Sequence, residues 1–323
     1  MSKHFAMAIA LLASSTTIAS AAEIKLGYAL AEDSHYGAGA SAFDETLKAI
    51  LGDTFTVTHY PSSGLGGERE VIEGLQLGTV DATIASSGTL SNFVPDVGVF
   101  DIPFLFRDLA HARTVLDGEI GQDMLTKFDA TGTHALAWGE QGFRHITNNR
   151  GAITTPDDLD GLKIRTMENP VHLKAFTALG AAPTPMAWPE VIPALEQGTI
   201  DGQENPLSVI VSVKLNEVQK YLTLDGHVYS PAIIMVSGKL WDSLDDTQKA
   251  AFEKAGMAAV LAMRGYVDNV EARGVATLRE RGMTINELTP QDKQTFQDKL
   301  ADVYTEYEAQ FGKELMDSII ATE

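Results

Sequence analysis

The chain has no cysteine. That excludes a disulfide scaffold, thiolate metal ligands, a cysteine nucleophile and lipid attachment through an N-terminal cysteine. Beyond its first residues it has no apolar run near the roughly 18 residues a membrane-spanning helix needs. Basic residues are scarce, with 24 Lys and Arg against 44 Asp and Glu, a net charge of −20. Nucleic acid demands a basic footprint, so no nucleic-acid partner is expected. The same imbalance gives no long-range attraction for an anion. An acidic ligand would need local arginines in a dry cleft to outweigh the general field.

Catalytic signatures are missing too. There is no H-E-x-x-H, the eight histidines are scattered, and no G-x-S-x-G occurs. The acid pairs Asp157-Asp158 and Asp245-Asp246 fall at predicted helix starts, where capping explains them. Gly37–Ala42 fits G-x-G-x-x-A, but the following strand, Phe55–Tyr60, ends in His59-Tyr60-Pro61 without the acid a dinucleotide site needs. Ser62–Gly67 is glycine-rich yet lacks the Lys-Ser/Thr ending of a phosphate-cradling loop. No cofactor, metal or catalytic residue is expected, which tilts the reading from enzyme to binder.

The N-terminus has a leader pattern. Lys3 and His4 form a weak basic start, Phe5–Ala13 an apolar stretch, and Ala19-Ser20-Ala21 an A-x-A-like cleavage site. Cleavage near Ala21 or Ala22 predicts an exported, periplasmic chain. Loss of residues 1–21 removes Lys3 alone among charged residues and takes the net charge from −20 to about −21.

The most informative stretch is Leu162–Pro206. A short strand, Leu162–Ile164, ends in Arg165. A helix follows Pro170, Pro183–Met186 reads as a strand, and a second helix starts around Pro189 and stops at Gly198. A last strand from Ile200 closes at Asn205-Pro206. These strand ends bring Arg165, Trp188 and Asn205 to one edge of an α/β layer, the side where open α/β sheets bind ligands. The pattern E-V-I-x-x-L-x-x-G-T-[V/I]-D occurs twice, at Glu70–Asp81 and Glu190–Asp201. The echo predicts two similar α/β lobes facing each other. Further on, Tyr221–Leu224 and Ala232–Ser237 read as two strands with a turn at Asp225–Pro231, and Leu244–Arg281 as one long helix spanning both lobes.

The segments I-R-T-M-E-N-P at Ile164–Pro170 and L-E-Q-G-T-I-D-G-Q-E-N-P at Leu195–Pro206 closely resemble the solute receptors of tripartite ATP-independent periplasmic (TRAP) transporters, across nearly all of the chain after the leader. The resemblance implies an α/β fold of the periplasmic binding protein type II-like class, with two lobes joined by hinge crossings. Lobe I would comprise 23–142 plus about 231–270, lobe II 143–230 plus about 271–310, and 311–323 a helical tail. It implies that Arg165 pairs with a ligand carboxylate and that the G-F-R-H-I-T-N element makes Arg144 a second cation for it. It also places the His35–Tyr36 loop towards the ligand and gives Glu68 ligand hydroxyls to accept from. Asn205 suits an acid with a neighbouring hydroxyl, and Trp188 supplies a flat wall. Ser86 and Ser87, after the strand Val80–Ala85, are candidate lining residues. The expected ligand is a small organic acid, best a sugar acid such as a hexuronate, passed by a monomeric receptor to membrane subunits. The rival expectations are a periplasmic lyase or hydrolase acting on acidic sugars, and a sensor-coupled receptor of the same fold.

Overall fold

A computed structural model describes residues 21–323, so the body of the expected leader lies outside the described residues. Among those described, nine strands run in chain order: β1 (Ala22–Tyr28), β2 (Phe55–Tyr60), β3 (Ala82–Ser86), β4 (Thr133–Asn148), β5 (Ile164–Thr166), β6 (Thr184–Pro185), β7 (Gly202–Pro206), β8 (Tyr221–Ser237) and β9 (Thr284–Glu287). They join in the order β2-β1-β3-β8-β4-β7-β5-β6, with β9 on β8.

Two long antiparallel strands hold the sheet together. β4 has 16 residues and β8 has 17, and they pair from Thr133 opposite Ser237 to Asn148 opposite Tyr221. β3 flanks one end of this pair, at Ala232–Val236 of β8. β7 flanks the other, at Arg144–Asn148 of β4. One half-sheet thus forms around each end. The register slips between Glu140 and Gly142 and again between Arg144 and Ile146. Such slips bend a strand. Gly142 takes a φ of 108°, a conformation open to glycine and strained for other residues.

The turn expected at Asp225–Pro231 is instead the middle of β8. Asp225 and His227 look like turn polarity in the sequence, but both are buried, and His227 Nδ1 lies 2.8 Å from Asp225 Oδ2. Pro231 sits beside a register slip, where its missing N–H is tolerated. Earlier in the chain, Gly118 separates helix Leu109–Asp117 from helix Glu119–Thr126.

The sequence echo is a structural one. β2-β1-β3 and β6-β5-β7 are parallel trios in the same relative order. In the first, helix Glu68–Leu77 ends at Gly78 with φ 67°; in the second, helix Trp188–Glu196 is followed by Gly198 with φ 69°. Asp81 Oδ2 then accepts from Lys25 N at 2.9 Å, while Asp81 N donates to Lys25 O at 3.2 Å. Asp201 repeats this against Lys163, at 3.0 Å and 2.8 Å. The shared aspartate locks the neighbouring parallel strand in register, which is why the echo extends to a polar position.

Helix Asp246–Glu280 spans 35 residues, roughly 52 Å at helical rise. Asp245 caps it, accepting from Gln248 N at 2.8 Å, while Gln248 Oε1 accepts from Asp245 N at 3.0 Å. It packs on helix His35–Leu51 beside the first trio and on helix Leu207–Ser212 beside the second. Gly39 permits the first contact, since a Cβ there would lie 2.8 Å from Met263 Cγ. The small residues of Gly37–Ala42 therefore admit a neighbouring helix, not a dinucleotide.

Candidate functional site

A cavity of about 260 Å³ opens between the two trios. Tyr36, Glu68, Ser86 and Thr89 line it from the first trio and its helices; Arg165, Met167, Trp188 and Asn205 line it from the second. Gln141, at the register slip of β4, forms its floor between them.

Arg165 lies on β5 and is almost fully buried. Its Nε and Nη2 donate to Met186 O at 3.1 Å and 2.7 Å. Nη1 has no hydrogen-bond partner among the described residues. Two parallel N–H bonds, from Nη1 and the rest of Nη2, therefore remain for a ligand. Burial pulls its pKa down to about 10, with Glu204 pulling the other way, so the group stays cationic at neutral pH. Trp188 opens helix Trp188–Glu196 and is half-buried, with its ring 5.7 Å from the Arg165 guanidinium carbon.

Across the cavity, Glu68 begins its helix and accepts from three donors. Ser86 N reaches Oε1 at 3.0 Å, Tyr36 Oη the same oxygen at 3.4 Å, and Thr89 Oγ1 reaches Oε2 at 2.8 Å. Burial raises its pKa, and the hydrogen bonds from Thr89 and Ser86 oppose that rise. Ser86 Oγ accepts from Gln141 Nε2 at 2.8 Å, and Gln141 Nε2 also reaches Ser230 Oγ at 3.3 Å. Both hydrogens of that amide are directed to protein, leaving its Oε1 as an acceptor. Asn205 is fixed from behind: its Oδ1 accepts from Arg144 Nη2 at 3.3 Å, and its Nδ2 donates to Gln203 Oε1.

Five of the expected residues, Arg165, Asn205, Trp188, Glu68 and Ser86, thus converge on one cavity. Three others do not line it. Arg144 is wholly buried and bonded out: Nε and Nη2 hold the Glu204 carboxylate, Nη2 also reaches Glu204 O at 2.7 Å, and Nη1 reaches Ser230 Oγ at 3.3 Å. It stands behind Asn205 with its charge answered by Glu204. Burial pushes the Glu204 carboxyl up, but Arg144, reinforced by a hydrogen bond from His227, holds it well below the usual carboxylate range. His35 is not in a loop but opens helix His35–Leu51, with its ring wholly buried and 4.6 Å from that of Tyr36. Burial pushes its pKa down to about 3, so it is neutral. Ser87 turns inward and donates to Asp101 Oδ1 at 3.0 Å.

Tyr36, in the His35–Tyr36 stretch expected to face the ligand, and Thr89, just past Ser86 and Ser87, line the cavity. Sequence reasoning missed Gln141 and Met167; each lies within three residues of an expected position, but nothing in its type marks it as facing a cavity. Met167 belongs to a set of contacts that tie the two trios together beside the cavity. A Cβ on Gly88 would lie 2.1 Å from Met167 Cε, so the methionine tip occupies the space glycine leaves. Arg69 Nε bonds Glu168 Oε2 at 2.9 Å, Asn92 Nδ2 bonds Glu168 O at 2.6 Å, and Asn169 Nδ2 bonds Asp101 Oδ2 at 2.8 Å. Among the described residues no group of three or more His, Asp or Glu side chains is placed to hold a metal, and no helix is long and apolar enough to cross a membrane.

A cationic fork faces a hydroxyl-friendly wall between two α/β halves on a double crossing, an arrangement that suits a solute receptor. Residues 26–310 match the DctP family, described as bacterial extracellular solute-binding protein, family 7, and the chain belongs to that family. A solute-binding protein of Verminephrobacter eiseniae is 47% identical over 303 residues, 94% of this chain and 90% of that one. A TRAP periplasmic solute-binding protein from Bordetella, with density assigned to pantoate, is 55% identical with a TM-score of 0.91, covering 94% of this chain and 99% of its own. Another from Polaromonas, bound to D-erythronate, is 46% identical with the same TM-score and the same coverages. The sugar acid binding protein of Advenella mimigardefordensis, in complex with galactonate, is 35% identical with a TM-score of 0.90, covering 94% of this chain and 98% of its own. The chain is accordingly a TRAP-type solute receptor that works with membrane subunits, and the lyase or hydrolase reading is set aside.

Proposed function

We propose that this receptor captures a small hydroxylated organic acid of the sugar-acid class in the periplasm. The observation that carries the reading is the Arg165 guanidinium, buried, tied to Met186 O by one edge and open to the cavity along the other. That edge fits a carboxylate through two charge-assisted hydrogen bonds, a geometry lysine's point charge lacks. Glu68 and Gln141 take ligand hydroxyls, Ser86 stands behind them with its hydroxyl bonded to Gln141, Gly88 and Met167, and Trp188 lies against a carbon face. Arg144 contributes at one remove, by holding Asn205 and Glu204 in place. The D-erythronate and galactonate held by two relatives support the sugar-acid class, within which a hexuronate is one member to test.

We take lobe I to comprise 23–142 and about 231–270, lobe II 143–230 and about 271–310, with 311–323 as a helical tail; the register slip between Glu140 and Gly142 supports the first boundary. Closure is a hinge motion in which ligand bridges both lobes, and ligand shifts the open–closed balance by its preference for the closed form. Calorimetry against a sugar-acid panel tests the reading. Arg165→Lys is expected to lose at least about 100-fold in affinity, a loss of about 3 kcal/mol, while its apo melting temperature stays near that of the parent. Near-native affinity in that variant would overturn the assignment.

A further inference from the structure

The cavity holds unequal charge. Two arginines line it, Arg69 and Arg165, against four glutamates, Glu68, Glu70, Glu168 and Glu190. Arg69 is already paired with Glu168 at 2.9 Å. That leaves Arg165 as the lining cation with an uncommitted edge, and that edge is wide enough for one carboxylate. The opposite wall is built to accept. All three partners of the Glu68 carboxylate donate to it, one of them a backbone N–H that has no other option. Both amide hydrogens of Gln141 go to serine hydroxyls, so its oxygen is the group left for a ligand.

We infer that the receptor takes acids with a single carboxylate and rejects their dicarboxylate counterparts, with Glu68 as the residue that sets this discrimination. The inference rests on the hydroxy-acid reading above. The ligand end that points away from Arg165 meets Glu68 and the Gln141 oxygen. A terminal hydroxyl donates to either. A second carboxylate donates to neither, brings a second negative charge towards the half-buried Glu68, and loses water without replacement. Discrimination of this kind comes from repulsion of the wrong ligand as much as from attraction of the right one.

Matched pairs differing only at the far end supply the test: D-erythronate against meso-tartrate, and galactonate against galactarate, by calorimetry at neutral pH. For whichever aldonate binds, its dicarboxylate partner is expected to be at least about 100-fold weaker, the scale of like charges brought together in a desolvated site. Glu68→Gln removes the charge and keeps the shape, and is expected to narrow the gap at least about tenfold. A wild-type ratio within threefold for the binding pair would overturn the inference and leave the Arg165 reading standing. An unchanged gap in Glu68→Gln would overturn the role given to Glu68. Failure of every aldonate to bind would bring down the hydroxy-acid reading and this inference with it.

Discussion

Arg144 and Arg165 are both buried arginines in one sheet, and their neighbours give them different work. Arg165 bonds a backbone carbonyl with one edge and keeps the other; Arg144 has spent its fork on Glu204. That difference was not legible in the sequence, because Glu204 lies 60 positions from Arg144 and only the pairing of β4 with β7 brings them together. Arg165 itself was legible: the short strand and the Glu-Asn-Pro after it placed it at the edge of the α/β layer, and it lines the cavity from the middle of β5. The buried pair makes a prediction of its own. Glu204→Gln leaves an unanswered guanidinium in a dry site, and is expected to cost about 3–5 kcal/mol of stability. Urea denaturation of the apo protein measures it, and a loss below about 1 kcal/mol would show that Arg144 is answered elsewhere.

At the level of elements, β8 carries the clearest departure from the sequence reading. Its central polar residues serve a buried cluster in which His227 lies between Asp225, 2.8 Å from Nδ1, and Glu204, 3.2 Å from Nε2. Polarity in a strand interior signals either a turn or a charge pair, and composition alone does not separate them. Burial works against the imidazolium, but Asp225 and then Glu204 outweigh it and raise the His227 pKa to about 9 from 6.5. A raised pKa means the folded state binds the proton more tightly, so this contribution to stability is full below pH 6.5 and is lost as pH climbs through about 9. His227→Gln is expected to flatten the stability–pH curve across that window, checked by denaturant midpoints at several pH values. A parent-like alkaline slope in the variant would remove His227 as its source. The repeated helix–glycine–strand units, by contrast, were legible down to the terminal aspartate, because capping, a left-handed glycine and a register lock are all local requirements.

Over the whole molecule, the two-lobe design was readable from the duplicated pattern, and the long shared helix from its periodicity. The way the lobes meet was not, since it depends on residues far apart in the chain. Met167 entering the space above Gly88 joins them beside the cavity, with the Arg69–Glu168 pair alongside. Gly88→Val fills that space and opposes closure. Ligand affinity is expected to fall about tenfold, or about 1.4 kcal/mol, and X-ray scattering of the liganded variant should give a larger radius of gyration than the liganded parent. Equal affinity and equal radius would mean closure does not use this contact.

The strands β4 and β8 run through both halves, paired on either side of their register slips. Rotation about a single flexible tether would leave the halves free to swivel in any direction. Two hydrogen-bonded ribbons side by side resist twisting and sideways shear, and yield most readily by flexing across their width. The jaws should therefore travel along one path, so that every solute is gripped in the same final pose and the membrane partner meets one shape whatever the cargo.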